Sequence, residues 1–323
     1  MQFRDLTEEI RGLKADRERL RQRHLEGAGG YEIVRDLSDS VDRAITKIWW
    51  RVRPSDPVAI VALGGYGRRE LCPSSDIDLM VLHRSGDEVN GSAKALLYEL
   101  WDAGMQVGHS IRTVKEALRL ARQEFDAETS FLEARLVTGD LKLFEQFHAA
   151  VLRQSKKSPA SFLDRIAKAT QVRRSRAGDA SAELEPNLKD GRGALRDLHT
   201  IGWIEKICGT RELPVDRSAL ESAGELLYQA RTALHFVTGR QSDVLLMQLQ
   251  QQVAAYMGLT DGSSVSSNGN QAETPGAHTK PPEETLMRNL YLGCRAGLSA
   301  GTPDPGSSQG QMPRPGNRGK GSA

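Results

Sequence analysis

The chain has 323 residues, of which 38% are hydrophobic, and its 44 basic residues almost balance 42 acidic ones. A formal charge of +2 provides no overall field of the kind that attracts nucleic acid or a membrane surface, so neither is expected as a partner. Its three cysteines are far apart and form no CxxC pattern, which argues against a disulfide framework or a zinc site and favours the cytoplasm.

The N-terminal part is predicted to form two helices. Residues 3–27 combine apolar side chains at helical spacing with dense charge, and they contain no apolar stretch typical of a secretory signal. Residues 32–51 carry apolar side chains such as Ile33, Val41 and Ile45 on one face. We therefore expect residues 1–52 to be helices that flank the domain that follows.

Strands and helices alternate in the next part of the chain. VAIVAL at 58–63 and DIDLMVLH at 76–83 have the length and composition of buried strands, and VGHSIRT at 107–113 is predicted to be a third. A helix is expected between the last two, at 93–103. This alternation predicts an α/β core over residues 53–140.

From Val114 onward the pattern is almost wholly helical, which predicts a helical second domain over residues 141–260. The helical stretches include 131–136, 162–172, 195–207 and 220–238. Residues 261–323 hold more than half of the prolines and are otherwise rich in Gly and Ser, so a disordered tail is expected there. One short helical segment, EETLMRNLYLGCRAG, interrupts this tail.

Two glycines and two aspartates mark a candidate active site around the first two strands. On a strand, Asp76 and Asp78 point to the same side, and such close carboxylates repel one another unless a cation lies between them. Mg²⁺ suits oxygen ligands and is commonly completed by phosphates and water. Gly64 and Gly65 allow the backbone to approach a phosphate, and Arg68 adds positive charge beside them.

Phosphate binding next to metal binding suits nucleotidyl transfer, in which metal ions stabilise charge during an in-line displacement at phosphorus. The structural alternative is that both motifs are ordinary turns, because aspartates and glycines are common turn residues. The ten-residue spacing between the glycine pair and the DxD pair, with a strand at each, favours the nucleotidyltransferase interpretation.

GGYGRRELCPSSDIDLMVL at 64–82 resembles the nucleotidyltransferase motif of the bacterial PII uridylyltransferase/uridylyl-removing enzymes. Three further stretches resemble the same family. They are LLYELWDAGMQVGHSIRTVKEAL at 96–118, TSFLEARLVTGD at 129–140 and EPNLKDGRGALRDLHTIGWI at 185–204.

The resemblance implies an α+β, polymerase-β-like nucleotidyltransferase core with flanking N-terminal helices, followed by an all-helical second domain. It implies Mg²⁺-dependent transfer of UMP from UTP to a tyrosine of the nitrogen regulatory protein PII. Gly64 and Gly65 would hold the triphosphate, and Asp76 and Asp78 would hold Mg²⁺. Lys189, in the fourth stretch, either contacts nucleotide phosphates across a cleft or is a solvated loop residue.

The chain departs from the family pattern at several places. Arg69 and Ala194 stand where the family usually has glycine. A third acidic residue is not evident on the third strand, and Asp126, Glu128 and Glu133 remain candidates. No His-Asp dipeptide is present, so we expect the uridylyl-removing and glutamine-sensing parts to be missing from a truncated or diverged chain.

Two alternatives follow from these departures. One is a truncated, catalytically inactive module that binds nucleotide. The other is an adenylyltransferase of the glutamine synthetase type, whose motif also contains a glycine pair and an SSDIDL sequence. The phosphate and metal motif does not distinguish UTP from ATP, since base selection depends on the shape of the pocket.

Overall fold

The computed structural model describes residues 6–52, 58–84, 87–102, 105–177, 183–209, 216–259 and 281–299. It is a mixed α/β protein in which a small sheet lies among many helices. Two helices come first, α1 (Leu6–Leu25) and α2 (Gly30–Val52), as the apolar spacing predicts. Ile33, Val41 and Ile45 on α2 are buried in the core that covers one face of the sheet.

The sheet has the strand order β3-β2-β1-β4, with β1 at Val58–Ala62 and β2 at Ile77–His83. These two central strands are antiparallel, and the side chains of β1 are all buried because helices cover both faces. β3 (Val107–Thr113) lies parallel to β2. The connection between them contains the predicted helix, α4 (Asp87–Asp102). The predicted strands are therefore confirmed, with ends shifted by one residue at most.

The fourth strand corrects the sequence prediction. Residues 131–136 were expected to be helical, but α6 (Phe125–Leu132) ends within them and Arg135–Gly139 forms β4. The segment contains the β-branched Val137 and Thr138, and it fills the open edge of β1 in antiparallel pairing. Tertiary pairing thus overrides a local pattern that is compatible with a helix.

The rest of the described chain is helical. α5 (Val114–Gln123) begins with a capping box, in which Thr113 and Glu116 satisfy each other's backbone N–H groups. The helices after β4 are α7 (Leu141–Ser155), α8 (Pro159–Ala177), α9 (Leu195–Cys208), α10 (Arg217–Thr238) and α11 (Met247–Tyr256).

A last helix, α12 (Pro282–Ser299), forms where the sequence predicts a short helical segment inside the tail. It packs on α10 and α11 and buries Leu286, Leu290 and Cys294 in a second core. Residues 281–299 therefore belong to the helical part of the fold, because their apolar face completes that core. The tail predicted for residues 261–280 and 300–323 lies outside the described residues.

None of the helices in the described ranges combines the length and the apolar character required to span a membrane.

Candidate active site

The glycine pair lies where β1 ends, and its position is tied to β2. The backbone N–H of Leu63 donates to the carbonyl oxygen of Asp78 at 3.0 Å. The chain then turns into α3 (Gly64–Gly67), a single helical turn, with Gly64 at φ +53°. Glycine takes this left-handed conformation without the steric penalty that a side chain brings. The turn therefore begins directly beside the second aspartate.

Asp76 and Asp78 flank Ile77 at the start of β2. β2 begins at Ile77, so Asp76 is the residue before the strand, yet both aspartates are exposed while Ile77 is buried. The pKa of the Asp78 carboxyl is raised, because the group is partly removed from water and because Asp76 carries a like charge nearby. The positive charge of Lys189 opposes this shift. The pair thus has the geometry predicted from the DxD spacing.

Gly108 on β3 leaves room for the Asp78 carboxylate. This role of Gly108 was not predicted from the sequence. β2 and β3 pair in a register that sets Asp78 opposite Gly108. A Cβ built at position 108 lies only 2.7 Å from Asp78 Oδ1. On the other side, Asp78 Oδ2 is 3.5 Å from a Cβ built on Gly64. The carboxylate is therefore flanked by two glycines, and a side chain at Gly108 would crowd it, whereas a Cβ at Gly64 would only touch it.

Lys189 reaches the same cleft from the helical side. A turn holds its backbone, since Asn187 Oδ1 accepts hydrogen bonds from the N–H groups of Lys189 and Asp190. Lys189 Nζ is 3.6 Å from Asp243 Oδ2, and Lys189 also contributes to the electrostatic environment of Asp78. The cleft has a volume of about 340 Å³ and includes all six residues singled out from the sequence. These are Gly64, Gly65, Arg68, Asp76, Asp78 and Lys189.

Arg68 lines the cleft, but carboxylates already hold its guanidinium group. Arg68 Nε donates to Glu70, and Nη1 donates to Glu133 Oε2 at 2.5 Å. Trp203 Nε1 on α9 donates to the other oxygen of Glu133. The predicted role of Arg68 in nucleotide binding therefore competes with a structural role, in which it joins the glycine turn to the helical part of the fold.

A largely buried histidine that the sequence did not single out extends this network. His199 Nε2 on α9 lies 3.1 Å from Glu70 Oε2 and 3.1 Å from the hydroxyl of Tyr228 on α10. Burial and the nearby Arg68 lower the pKa of His199 to about 4, although Glu70 opposes them. Burial raises the pKa of Glu70, but Arg68 and His199 outweigh it and hold that pKa below its usual range.

The three candidates for a further carboxylate have different surroundings. Glu128 is buried and accepts hydrogen bonds from Ser155 and Arg165, each at 2.6 Å. Glu133 is engaged as described above. Asp126, at the start of α6, is exposed and lines the same cleft as Asp76 and Asp78. Among the three, Asp126 is thus the side chain available to a ligand in the cleft.

The oxygen-rich pair at Asp76 and Asp78 fits a magnesium ion. Mg²⁺ is usually held by one or two carboxylates together with substrate phosphates and water. Within the described part of the chain, no three His, Cys, Asp or Glu side chains converge as a ready-made metal cage. An ion here would take its remaining ligands from a bound nucleotide and from water.

Comparison with known proteins identifies the family. A family model described as GlnD PII-uridylyltransferase matches residues 161–274. The chain is 36% identical over 307 residues to the bifunctional uridylyltransferase/uridylyl-removing enzyme of Caulobacter vibrioides NA1000 / CB15N, an alignment that covers 88% of this chain and 31% of the relative. The chain belongs to this PII uridylyltransferase family.

Other relatives support the same family assignment. The enzymes of the same name from Phenylobacterium zucineum and Aromatoleum aromaticum are each 36% identical, over 310 and 243 residues. Those alignments cover 88% and 70% of this chain but 31% and 28% of the relatives. The chain thus spans about a third of the length of the relatives it matches, and its family is one of nucleotidyltransferase enzymes.

The two departures from the family's glycines differ in consequence. Arg69 adopts φ +62°, and it is the one residue other than glycine with a positive φ in the described ranges. Ala194 has φ −85° and ψ −174°, an extended conformation open to any residue, and it caps α9. The preceding Gly193, at φ +81°, lies so close to Cys294 that an added Cβ would be 2.6 Å from its carbonyl oxygen. Of the two substituted positions, only Arg69 therefore has a strained backbone conformation.

Proposed function

We propose that this chain transfers UMP from UTP to a tyrosine hydroxyl of the PII protein in an Mg²⁺-dependent reaction. The observation that carries the proposal is the convergence of the glycine pair, Asp76, Asp78 and Lys189 on one cleft. Family membership supports the uridylyl group and the PII acceptor, because the matching family model is described as a PII-uridylyltransferase. The sheet and the placement of the DxD pair agree with a polymerase-β-like core.

The proposed reaction is a displacement at the α-phosphorus of UTP. The tyrosine oxygen forms a bond to this phosphorus, the bond to the oxygen that bridges the α- and β-phosphates breaks, and pyrophosphate leaves. The tyrosine proton passes to water. Mg²⁺, when bound, would stabilise the charge that spreads over the phosphate oxygens and the departing pyrophosphate.

The residues predicted from the sequence have separate roles in this proposal. Asp76 and Asp78 hold Mg²⁺, and the glycines at 64 and 65 let the backbone approach the triphosphate without a side chain in the way. Lys189 places a positive charge opposite the aspartates, suited to a phosphate oxygen. Asp126 borders the same cleft, and its exposed carboxylate makes it the candidate for a further oxygen ligand when Mg²⁺ and nucleotide are bound.

Transfer of label from α-³²P-labelled UTP to purified PII, with ATP in parallel, tests the proposal. We expect label from UTP in the presence of Mg²⁺, and none when the acceptor tyrosine of PII is replaced by phenylalanine. Label from ATP alone would support an adenylyltransferase. Binding of Mg²⁺-UTP by calorimetry without any transfer would support a nucleotide-binding module that lacks turnover.

A further inference from the structure

We infer that a basic groove beside the active-site cleft receives the acceptor, and that the acceptor presents an acidic polypeptide segment there. This inference rests on the proposed transferase function and adds to it the surface that selects the protein substrate. The groove is the space between the start of α6, one face of α8 and α9, and it has a volume of about 940 Å³.

The groove adjoins the active-site cleft. Asp126 and Arg196 line both spaces, and the glycine pair and the DxD pair line only the cleft. The cleft alone falls within the size range of small-molecule sites. An acceptor hydroxyl has to reach the cleft while the nucleotide occupies it. The groove offers an approach for the chain that carries this hydroxyl.

The C-terminal part of α8 forms an open wall of the groove. Phe162 and Ile166 are buried, but none of residues 167–177, all of which the structure describes, is buried. Lys168, Val172 and Arg176 follow one another at four-residue spacing and so share one face of the helix. Val172 is 50% exposed. This face presents an apolar side chain between two cations.

Five cations and three carboxylates line the groove, so its lining is net basic; the carboxylates are Glu124, Asp126 and Asp190, and Asp190 is paired with Arg196. The other cations are either paired within the protein or exposed. Arg165 is paired with Glu128, and Arg173 with Asp197 and the carbonyl oxygen of Asp190. In contrast, Lys168 and Arg176 are exposed on the outer wall. The contact of Lys168 with Asp164, at 2.8 Å, is a solvent-exposed pair that contributes little to stability.

The occupant that complements this wall is a polypeptide with acidic side chains and at least one apolar side chain. Such pairing of opposite potentials steers association and selects partners. A nucleic acid fits less well. The aromatic side chains that line the groove, Phe125 and Trp203, pack against each other and under Arg165 and Arg196, and none lies among the exposed cations of α8 to stack on bases.

Charge reversal on the outer wall tests the inference. We would compare the wild-type chain with a Lys168→Glu/Arg176→Glu variant in label transfer from UTP, measuring KM separately for PII and for UTP. The matched control is Lys115→Glu/Arg119→Glu, which makes the same charge change at two exposed residues of α5. Dissociation constants of fluorescently labelled PII are measured for all three proteins, with and without an RNA oligonucleotide as competitor.

We expect the groove variant to raise the KM for PII, and its dissociation constant, on the order of tenfold. The KM for UTP should stay within about twofold of wild type, and the control should behave as wild type. An unchanged KM for PII, an increase in the KM for UTP instead, or displacement of PII by RNA would each overturn the inference. If the wild type transfers no label, the proposed function fails, and the binding constants still decide whether PII uses the groove.

Discussion

Replacing Gly108 with alanine is expected to impair catalysis while leaving the fold intact. The added Cβ would lie 2.7 Å from Asp78 Oδ1, whereas ordinary van der Waals contact begins at 3.4 Å. The carboxylate oxygen must therefore move by about 0.7 Å, the difference between these distances. Asp78 is a short side chain that is free to rotate away, so the movement falls on the proposed metal ligand rather than on the backbone.

The size of the effect follows from this displacement. A misplacement of about 1 Å in a catalytic arrangement can reduce the rate about a hundredfold, so we expect kcat/KM for uridylyl transfer to fall by roughly 10- to 100-fold. Gly108 has no positive φ, and glycine within a strand is less favourable than alanine by about 0.5–1 kcal/mol. The free energy of unfolding should therefore be unchanged or slightly higher.

The assay combines label transfer to PII with urea unfolding. The matched control is Gly202→Ala, at an exposed position of α9 where an added Cβ meets no atom within 4 Å. We expect the control to retain full activity. Full activity in Gly108→Ala, or an activity loss that accompanies unfolding, would refute the idea that this glycine exists to make room for Asp78.

Substitutions at two positions, Arg69 and Arg68, test the glycine turn. Arg69→Gly is expected to raise the free energy of unfolding by about 1 kcal/mol relative to Arg69→Ala, because both remove the ion pair with Asp39 but only glycine relieves the positive φ. Equal urea midpoints for the two variants would contradict this. Arg68→Met should lower the free energy of unfolding by about 3 kcal/mol, since it leaves the largely buried Glu70 and Glu133 carboxylates without their cation. Glu133→Gln in the same chain should restore part of the loss. A stable Arg68→Met variant with a strongly raised KM for UTP would instead favour nucleotide binding by this arginine.

Much of the site was predictable because its chemistry is local in sequence. The spacing of Asp76 and Asp78 around an apolar residue requires both carboxylates to share one side of the strand, and the structure has this arrangement. Gly64 lies beside the same aspartate because Leu63 hydrogen-bonds to Asp78, and this contact needs only two neighbouring strands that the sequence pattern also predicts.

What the sequence did not indicate depends on contacts between distant segments. The role of Gly108 arises from the register of β3 against β2, and no property of VGHSIRT alone reveals it. The strand at 135–139 needs the open edge of β1, which its two β-branched residues alone do not reveal. The carboxylates around Arg68 come from positions 70 and 133, so a cation that resembles a phosphate ligand in the motif is largely engaged within the protein.

The most direct test of the central claim is uridylyl transfer to PII by an Asp76→Asn/Asp78→Asn variant across a range of Mg²⁺ concentrations. Asparagine keeps the size of both side chains and removes the charges, and Asp102→Asn at an exposed position serves as the control. We predict that the double variant loses activity by at least about a hundredfold at every Mg²⁺ concentration while its thermal midpoint stays near that of wild type. Wild-type transfer by a folded double variant would contradict the assignment of these aspartates as the metal ligands of a nucleotidyltransferase.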